Sequence, residues 1–196
     1  MPHDKTGGRV FGKDIRLAQY ARKVDQALRD LLGGRETPLI LAAAEPLRSI
    51  YRAIQSYPHL ATTALTTNPE ALSDAELAAA ARGILDELFR EEMAAIRLLF
   101  EQREPQGRTT TDVAQAARAA TWGAVQTLLV DIDEVLPGAL DDDGAVTFAN
   151  GPSTTNYGII DEIARRALVT GARVLGVRGA DIPGGGSLAA ILRYPF

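Results

Sequence analysis

Ala119-Ala120-Thr121-Trp122-Gly123-Ala124-Val125 and the closing run Gly184-Gly185-Gly186-Ser187-Leu188-Ala189-Ala190-Ile191-Leu192-Arg193-Tyr194 bracket a segment that reads as one compact α/β unit. Thr111 or Asp112 can cap a helix that ends near Trp122-Gly123, and the apolar run Val125 to Val130 supplies a strand. A polar excursion from Asp131 to Asn156 holds the Asp141-Asp142-Asp143-Gly144 turn beside a short strand at Ala145 to Phe148. Asn156 caps a helix through Leu168, Gly171 closes it, and Arg173 to Val177 is again strand-like. Strand, helix, strand implies a right-handed parallel crossover. Pro183 to Ser187 then turns the chain into a last strand, Leu188 to Tyr194.

Upstream, Ser73 and Glu76 form a capping box ahead of a long helix from Asp74 to about Gln102, with Leu77, Ala81, Leu85, Leu88, Ile96 and Leu99 near one stripe. The polar link Arg103-Glu104-Pro105-Gln106-Gly107-Arg108 marks a domain boundary, giving domains over residues 1–105 and 110–196. Nearer the start, Asp14 caps a helix to about Leu32 with Leu17, Ala21, Val24, Leu28 and Leu31 on one face, and Gly33-Gly34 stops it. The apolar run Pro38 to Ala44 fits a buried parallel strand, Glu45-Pro46 opens a short helix to about Gln55, and Thr62 to Leu65 offers a second parallel strand. No internal repeat is present.

Composition narrows the function classes. The 196 residues are 46% hydrophobic, ample for a packed core. No apolar run reaches the roughly 20 residues that span a bilayer, and no signal-peptide apolar region follows Met1, so a cytoplasmic site is the default. Without cysteine, and with His3 and His59 as the two histidines, neither a disulfide nor a thiolate or imidazole metal cluster is expected, and no cofactor is implied. Residues 1–35 carry eight Lys and Arg against four Asp, a net +4, which leaves −8 for the other 161. A basic end on an acidic protein fits a surface that meets phosphate backbone, although a solvated helix face would look the same.

The C-terminal block, with a helix ending in Gly123-Ala124-Val125 and a closing Ile191-Leu192-Arg193-Tyr194 strand, resembles the third domain of the class I release factors of eukaryotes and archaea and of their rescue relative Pelota. More weakly, Gly7-Gly8-Arg9 and the basic helix after it resemble the Gly-Gly-Gln loop and Arg-rich helix of the release-factor middle domain, and Pro38-Leu39-Ile40-Leu41-Ala42 falls at that domain's next core strand. The chain thus resembles the bacterial archaeo-eukaryotic release factor families over nearly its whole length. The resemblance implies an α/β fold, with a truncated RNase H-like middle-domain remnant of long helices and about two parallel strands, followed by a three-layer α/β/α domain of the release-factor C-terminal type. Two strands with open edges are marginal alone, so the first half is expected to lean on its helices, on the second domain, on self-association or on a further segment. Relative to these families the chain starts at the loop and has no codon-reading domain, so stop-codon recognition in their manner is not expected.

The resemblance also implies ribosome and tRNA as partners, met through Lys5, Arg9, Lys13, Arg16, Arg22 and Lys23, and a translational GTPase docked by the C-terminal domain. In a Gly-Gly-Gln loop the glycines let backbone approach the peptidyl-tRNA ester while the glutamine positions water. Here Arg9 replaces the glutamine, so Gly7, Gly8 and Arg9 are weak catalytic candidates. Three functions stay open: a ribosome-associated binding protein acting in release, rescue or dormancy, a peptidyl-tRNA hydrolase with a degenerate loop, and an interaction module without a translation role. Other motifs read structurally. His3 sits in a fraying terminus, His59 packs or lies on the surface, and Asp141 to Gly144 lacks the ligand spacing of a calcium loop. Pro183 to Ser187 precedes a strand, unlike a phosphate-binding loop, while Trp122 and Tyr157 read as core anchors and Asp86, Glu87, Glu91 and Glu92 as an exposed acidic face.

Overall fold

The computed structural model describes residues 7–149, 151 and 158–196, with residues 7–14 described by their backbone. His3, Lys5, Asn156 and Tyr157, singled out above, lie outside this set. The expected mixed α/β fold is present, as two compact units, Met1–Arg90 and Glu91–Phe196.

In the first unit, helix α1 spans Gly7–Leu32. It begins well before Asp14, so Gly7, Gly8 and Arg9 are its first turn and not a loop ahead of it. First-turn N–H groups lack intrahelical partners in any helix, and no proline interrupts residues 7–32, so nothing forces the later start. Ala21 is fully buried, with Leu17, Val24 and Leu28 half-buried, as the spacing requires. Leu31 is 61% exposed instead, because a step of four from Leu28 carries the buried stripe to Leu32.

The two apolar segments that follow do pair in parallel, but as isolated bridges, Leu39 with Leu60 and Ala42 with Leu65, between which the offset grows from 21 to 23 residues and breaks the ladder. Four backbone bonds join them: Leu39 N–H to the His59 carbonyl (2.9 Å), Ala61 N–H to Leu39 (2.8 Å), Leu65 N–H to Leu41 (2.9 Å) and Ala43 N–H to Leu65 (3.3 Å). Helix α2 (Leu47–Ile54), with Pro46 at its N-cap, links the two segments. Helix α3 (Asp74–Arg103) opens on the expected capping box, in which Glu76 N–H donates to the Ser73 hydroxyl (3.3 Å) and Ser73 N–H to the Glu76 carboxylate (2.9 Å). Its inner stripe passes through Leu77, Ala81, Ile84 and Leu88, whereas Leu85, which fits the same spacing, is 43% exposed and Ile84 takes the buried place beside it.

From Glu91 onward α3 belongs to the second unit. There the elements are β1 (Thr109–Thr110), α4 (Val113–Thr121), β2 (Val125–Asp131), β3 (Gly138–Leu140), β4 (Val146–Phe148), α5 (Ile159–Val169), β5 (Arg173–Val177) and β6 (Leu188–Leu192). The main sheet has the order β1-β6-β2-β5, with β2 and β5 parallel, as the crossover required, and β6 antiparallel to both β1 and β2. Val125, Leu128, Leu188, Ala190 and Leu192 pack one face of it against α4 and α5. On the other face Leu129, Val177, Ala189 and Ile191 meet Met93, Ile96 and Phe100 of α3. Three layers result, the third supplied by the end of α3. Strand β6, central and buried throughout, needs apolar residues at every position, which is why its sequence runs without alternation.

Both helices on the first face end in the same way. At α4, Gly123 takes φ +70° while Ala124 N–H reaches the Ala119 carbonyl (2.8 Å). At α5, Gly171 takes φ +77° and Ala172 N–H reaches Ala167 (2.8 Å). Asp112 caps α4 as expected, its carboxylate accepting from Gln115 N–H (2.7 Å), while the N-cap of α5 is Gly158. Trp122 is no core anchor: it is the α4 C-cap and 61% exposed, and the buried residues of that helix are the alanines Ala116, Ala117, Ala119 and Ala120. β3 is an addition to the sequence reading. It forms a hairpin with β4 across the Asp141 to Gly144 turn, where the Asp141 carboxylate accepts from the N–H groups of Asp143 (3.0 Å) and Ala145 (2.8 Å).

Candidate nucleic-acid interface

Helix α1 puts its apolar stripe inward, which turns its cations outward. Arg16, Arg22 and Lys23 are exposed, and among the described residues none of them forms an ion pair. At about 100° per residue, positions 9, 13, 16, 20 and 23 of one helix fall within an arc of about 80° and extend over about 21 Å. Arg16 and Lys23 lie in that stripe with Tyr20, which is 57% exposed between them. Of Arg9 and Lys13 the helical position is described, and Arg22 is rotated away to a flank.

Sequence reasoning missed Tyr20. Its signal was the spacing, four residues after Arg16 and three before Lys23, which sets an aromatic ring among cations in the arrangement that lets bases stack on a charged groove.

The opposite side of α1 is fixed by a buried carboxylate. Asp25, 3% exposed, accepts from Ser56 N–H (2.8 Å), from the Ser56 hydroxyl (2.9 Å) and from the Arg29 guanidinium (2.9 Å). Burial works against its ionisation, yet the bonds from Ser56 and Arg29 outweigh that and hold its pKa below the ordinary value. The negative charge is thereby sequestered away from the cationic stripe, and Arg29 is occupied by it.

The remaining motifs serve the fold. His59 meets Tyr57 edge-on at 5.5 Å and pairs through its backbone. In the Pro183 to Ser187 turn, Gly184 and Gly185 take φ of +81° and +63°, and Gly185 N–H is spent on the Ile182 carbonyl, so this is a turn into β6. Arg193 donates to the carbonyls of Gly123 (2.9 Å), Thr170 (3.2 Å) and Gly171 (3.0 Å), a cation clamping the negative ends of α4 and α5 together. Glu162 of α5, bonded by Arg165 (2.7 Å) and Arg166 (2.8 Å), has its pKa lowered to about 2, the Arg165 bond being the largest cause. Arg166 in turn donates to the Thr121 hydroxyl (2.8 Å) and the Asp141 carbonyl (2.8 Å), tying α5 to α4 and to the hairpin turn.

No helix among the described residues is long and apolar enough to cross a membrane. Among solved structures, the chain is similar to ribosome-bound archaeal Pelota in a model with ABCE1, with a TM-score of 0.58 and 16% identity over 90% of this chain and 49% of that one. It is also similar to the C-terminal domain of a peptide chain release factor from Methanosarcina mazei, with a TM-score of 0.49 and 20% identity over 67% of this chain and 98% of that one. Pelota from Archaeoglobus fulgidus follows, with a TM-score of 0.42 and 16% identity over 90% of this chain and 54% of that one, so this chain spans about half the length of the Pelota chains it matches. No curated protein matches it. Residues 3–91 match the model of bacterial archaeo-eukaryotic release factor family 11, which bears out the resemblance read from the sequence.

Proposed function

We propose that this protein is a release-factor-like, ribosome-associated binding protein, which meets ribosomal RNA or tRNA phosphates through α1 and offers a docking surface for a translational GTPase in its C-terminal α/β domain. In this reading residues 1–105 are the counterpart of the release-factor middle domain, and residues 110–196 that of the third domain. The observation that carries it is the stripe of Arg16, Tyr20 and Lys23, solvent-exposed and free of ion pairs among the described residues, on a helix whose neighbouring carboxylate is buried. Cations without local partners can exchange counterions for phosphates, and an aromatic between them adds stacking. The similarity to ribosome-bound archaeal Pelota supports the choice of partner.

Charge reversal at Arg16 and Lys23 tests it. The double variant is expected to lose ribosome co-sedimentation at least tenfold while its circular dichroism stays unchanged. Undiminished co-sedimentation contradicts the proposal. Peptidyl-tRNA supplied free and on stalled ribosomes separates binding from catalysis. A binding protein leaves the ester intact, whereas hydrolysis that depends on Gly7 and Gly8 favours the hydrolase.

A further inference from the structure

Four side chains on the outer face of α1 form a diamond. Arg16 and Lys23 stand at its ends, about 10 Å apart along the helix axis, with Gln19 and Tyr20 at its sides. Each edge of the diamond is a step of three or four residues, which sets neighbouring Cβ atoms about 5–6 Å apart. All four residues are exposed, and among the described residues none of their side chains has a hydrogen-bond or ion-pair partner. The acidic positions of the helix stay clear of this cluster. Asp14 and Asp25 fall on the opposite side, Asp25 being buried against Ser56, and Asp30 follows about 10 Å beyond Lys23.

Contact with phosphate needs the two cations and has no use for the ring or the amide. Tyr20 borders the apolar groove that Val24 and Leu28 also line, yet 57% of it faces water. An aromatic left this open between cations matches a ligand that carries a planar base on a charged backbone. Duplex RNA does not present that combination, because its base faces are stacked on one another and a helix lying on its surface meets phosphates and sugar hydroxyls. An unpaired nucleotide presents both at once.

Given the phosphate-binding reading of α1, on which this rests, we infer that the diamond selects unpaired RNA, with Tyr20 as the residue that sets the preference. One base stacks on the Tyr20 ring, and the phosphates on either side of it meet Arg16 and Lys23. Gln19, on the other side of the diamond, brings one amide donor and one amide acceptor to the base edge. The cations supply affinity that depends on salt, and the ring supplies the choice between unpaired and paired strands.

Fluorescence anisotropy of the intact protein with a short RNA that cannot pair with itself, and with the same RNA annealed to its complement, tests this. At equal salt the single strand is expected to bind roughly tenfold more tightly, the effect of about one base-stacking contact. Tyr20→Phe is expected to keep that preference. Tyr20→Leu, which still covers the groove, is expected to lose it while its binding stays dependent on salt, since Arg16 and Lys23 are untouched. Circular dichroism matching the parent shows that the fold is intact in both variants. Equal affinity of the parent for the two RNAs, or a preference that survives in Tyr20→Leu, overturns the selection by Tyr20 and leaves the phosphate-binding stripe standing. Failure to bind either RNA at low salt overturns both.

Discussion

Glu162 and Arg193 hold the two helix ends of the C-terminal unit in different ways, and each makes its own prediction. With a folded pKa of about 2 against an ordinary 4.5, the stabilisation from Glu162 is complete above about pH 4.5 and is lost as pH falls towards 2. Its Arg165 partner is 63% exposed, so screening reduces the net effect to about 1 kcal/mol. Glu162→Gln should therefore lower stability at pH 7 by about that amount, and at pH 2 it should match the parent. A constant deficit across that range would show that the loss is one of packing. Arg193 reaches three carbonyls from a planar fork, a geometry that a lysine ammonium cannot reproduce. Arg193→Lys should cost about 1 kcal/mol in urea unfolding, and Arg193→Ala more. A lysine variant as stable as the parent would reduce the clamp to its charge. The sequence reading carried the closing strand through to Tyr194, whereas β6 ends at Leu192 and Arg193 stands just beyond it. The three acceptors of Arg193 were not legible either, because they come from helix ends 22 to 70 residues away.

At the scale of elements, the sequence reading was strongest where one local rule decides. The capping box of Ser73 and Glu76, the Asp112 cap, the Gly123 and Gly171 helix ends and the span Arg173–Val177 are all set by nearest neighbours. It was weakest where pairing partners decide. β3 is three residues long and takes its identity from β4, and the two upstream apolar runs shorten to bridges because their partner segment inserts two extra residues. Helix α3 is the instructive element: its periodicity foretold the helix, yet only packing reveals that Met93, Ile96 and Phe100 form the third layer of the C-terminal sheet. Burial of a large apolar side chain stabilises by roughly 1.5–3 kcal/mol, so these three matter. Residues 91–196 expressed alone should unfold cooperatively in calorimetry, whereas residues 110–196 should lose that transition and bind a hydrophobic dye. Equal cooperativity of the two fragments would contradict the role given to α3.

Across the whole chain, a +4 segment precedes a −8 remainder, and the structure converts that bare asymmetry into an exposed stripe on one face of α1. The stripe itself was only half legible. Arg16 and Lys23 were identified from charge, whereas Tyr20 needed the helix register, and Arg22 turned out to occupy a flank. The family model, in turn, matches residues 3–91, the half in which the sequence motifs were the less specific. The central claim, that this stripe meets phosphate, is tested most directly by co-sedimentation of the intact protein with ribosomes over a salt series. With about four phosphate contacts, affinity should fall roughly 100-fold between 50 and 200 mM salt. Binding that ignores salt, or no co-sedimentation even at the lowest salt, would contradict the account.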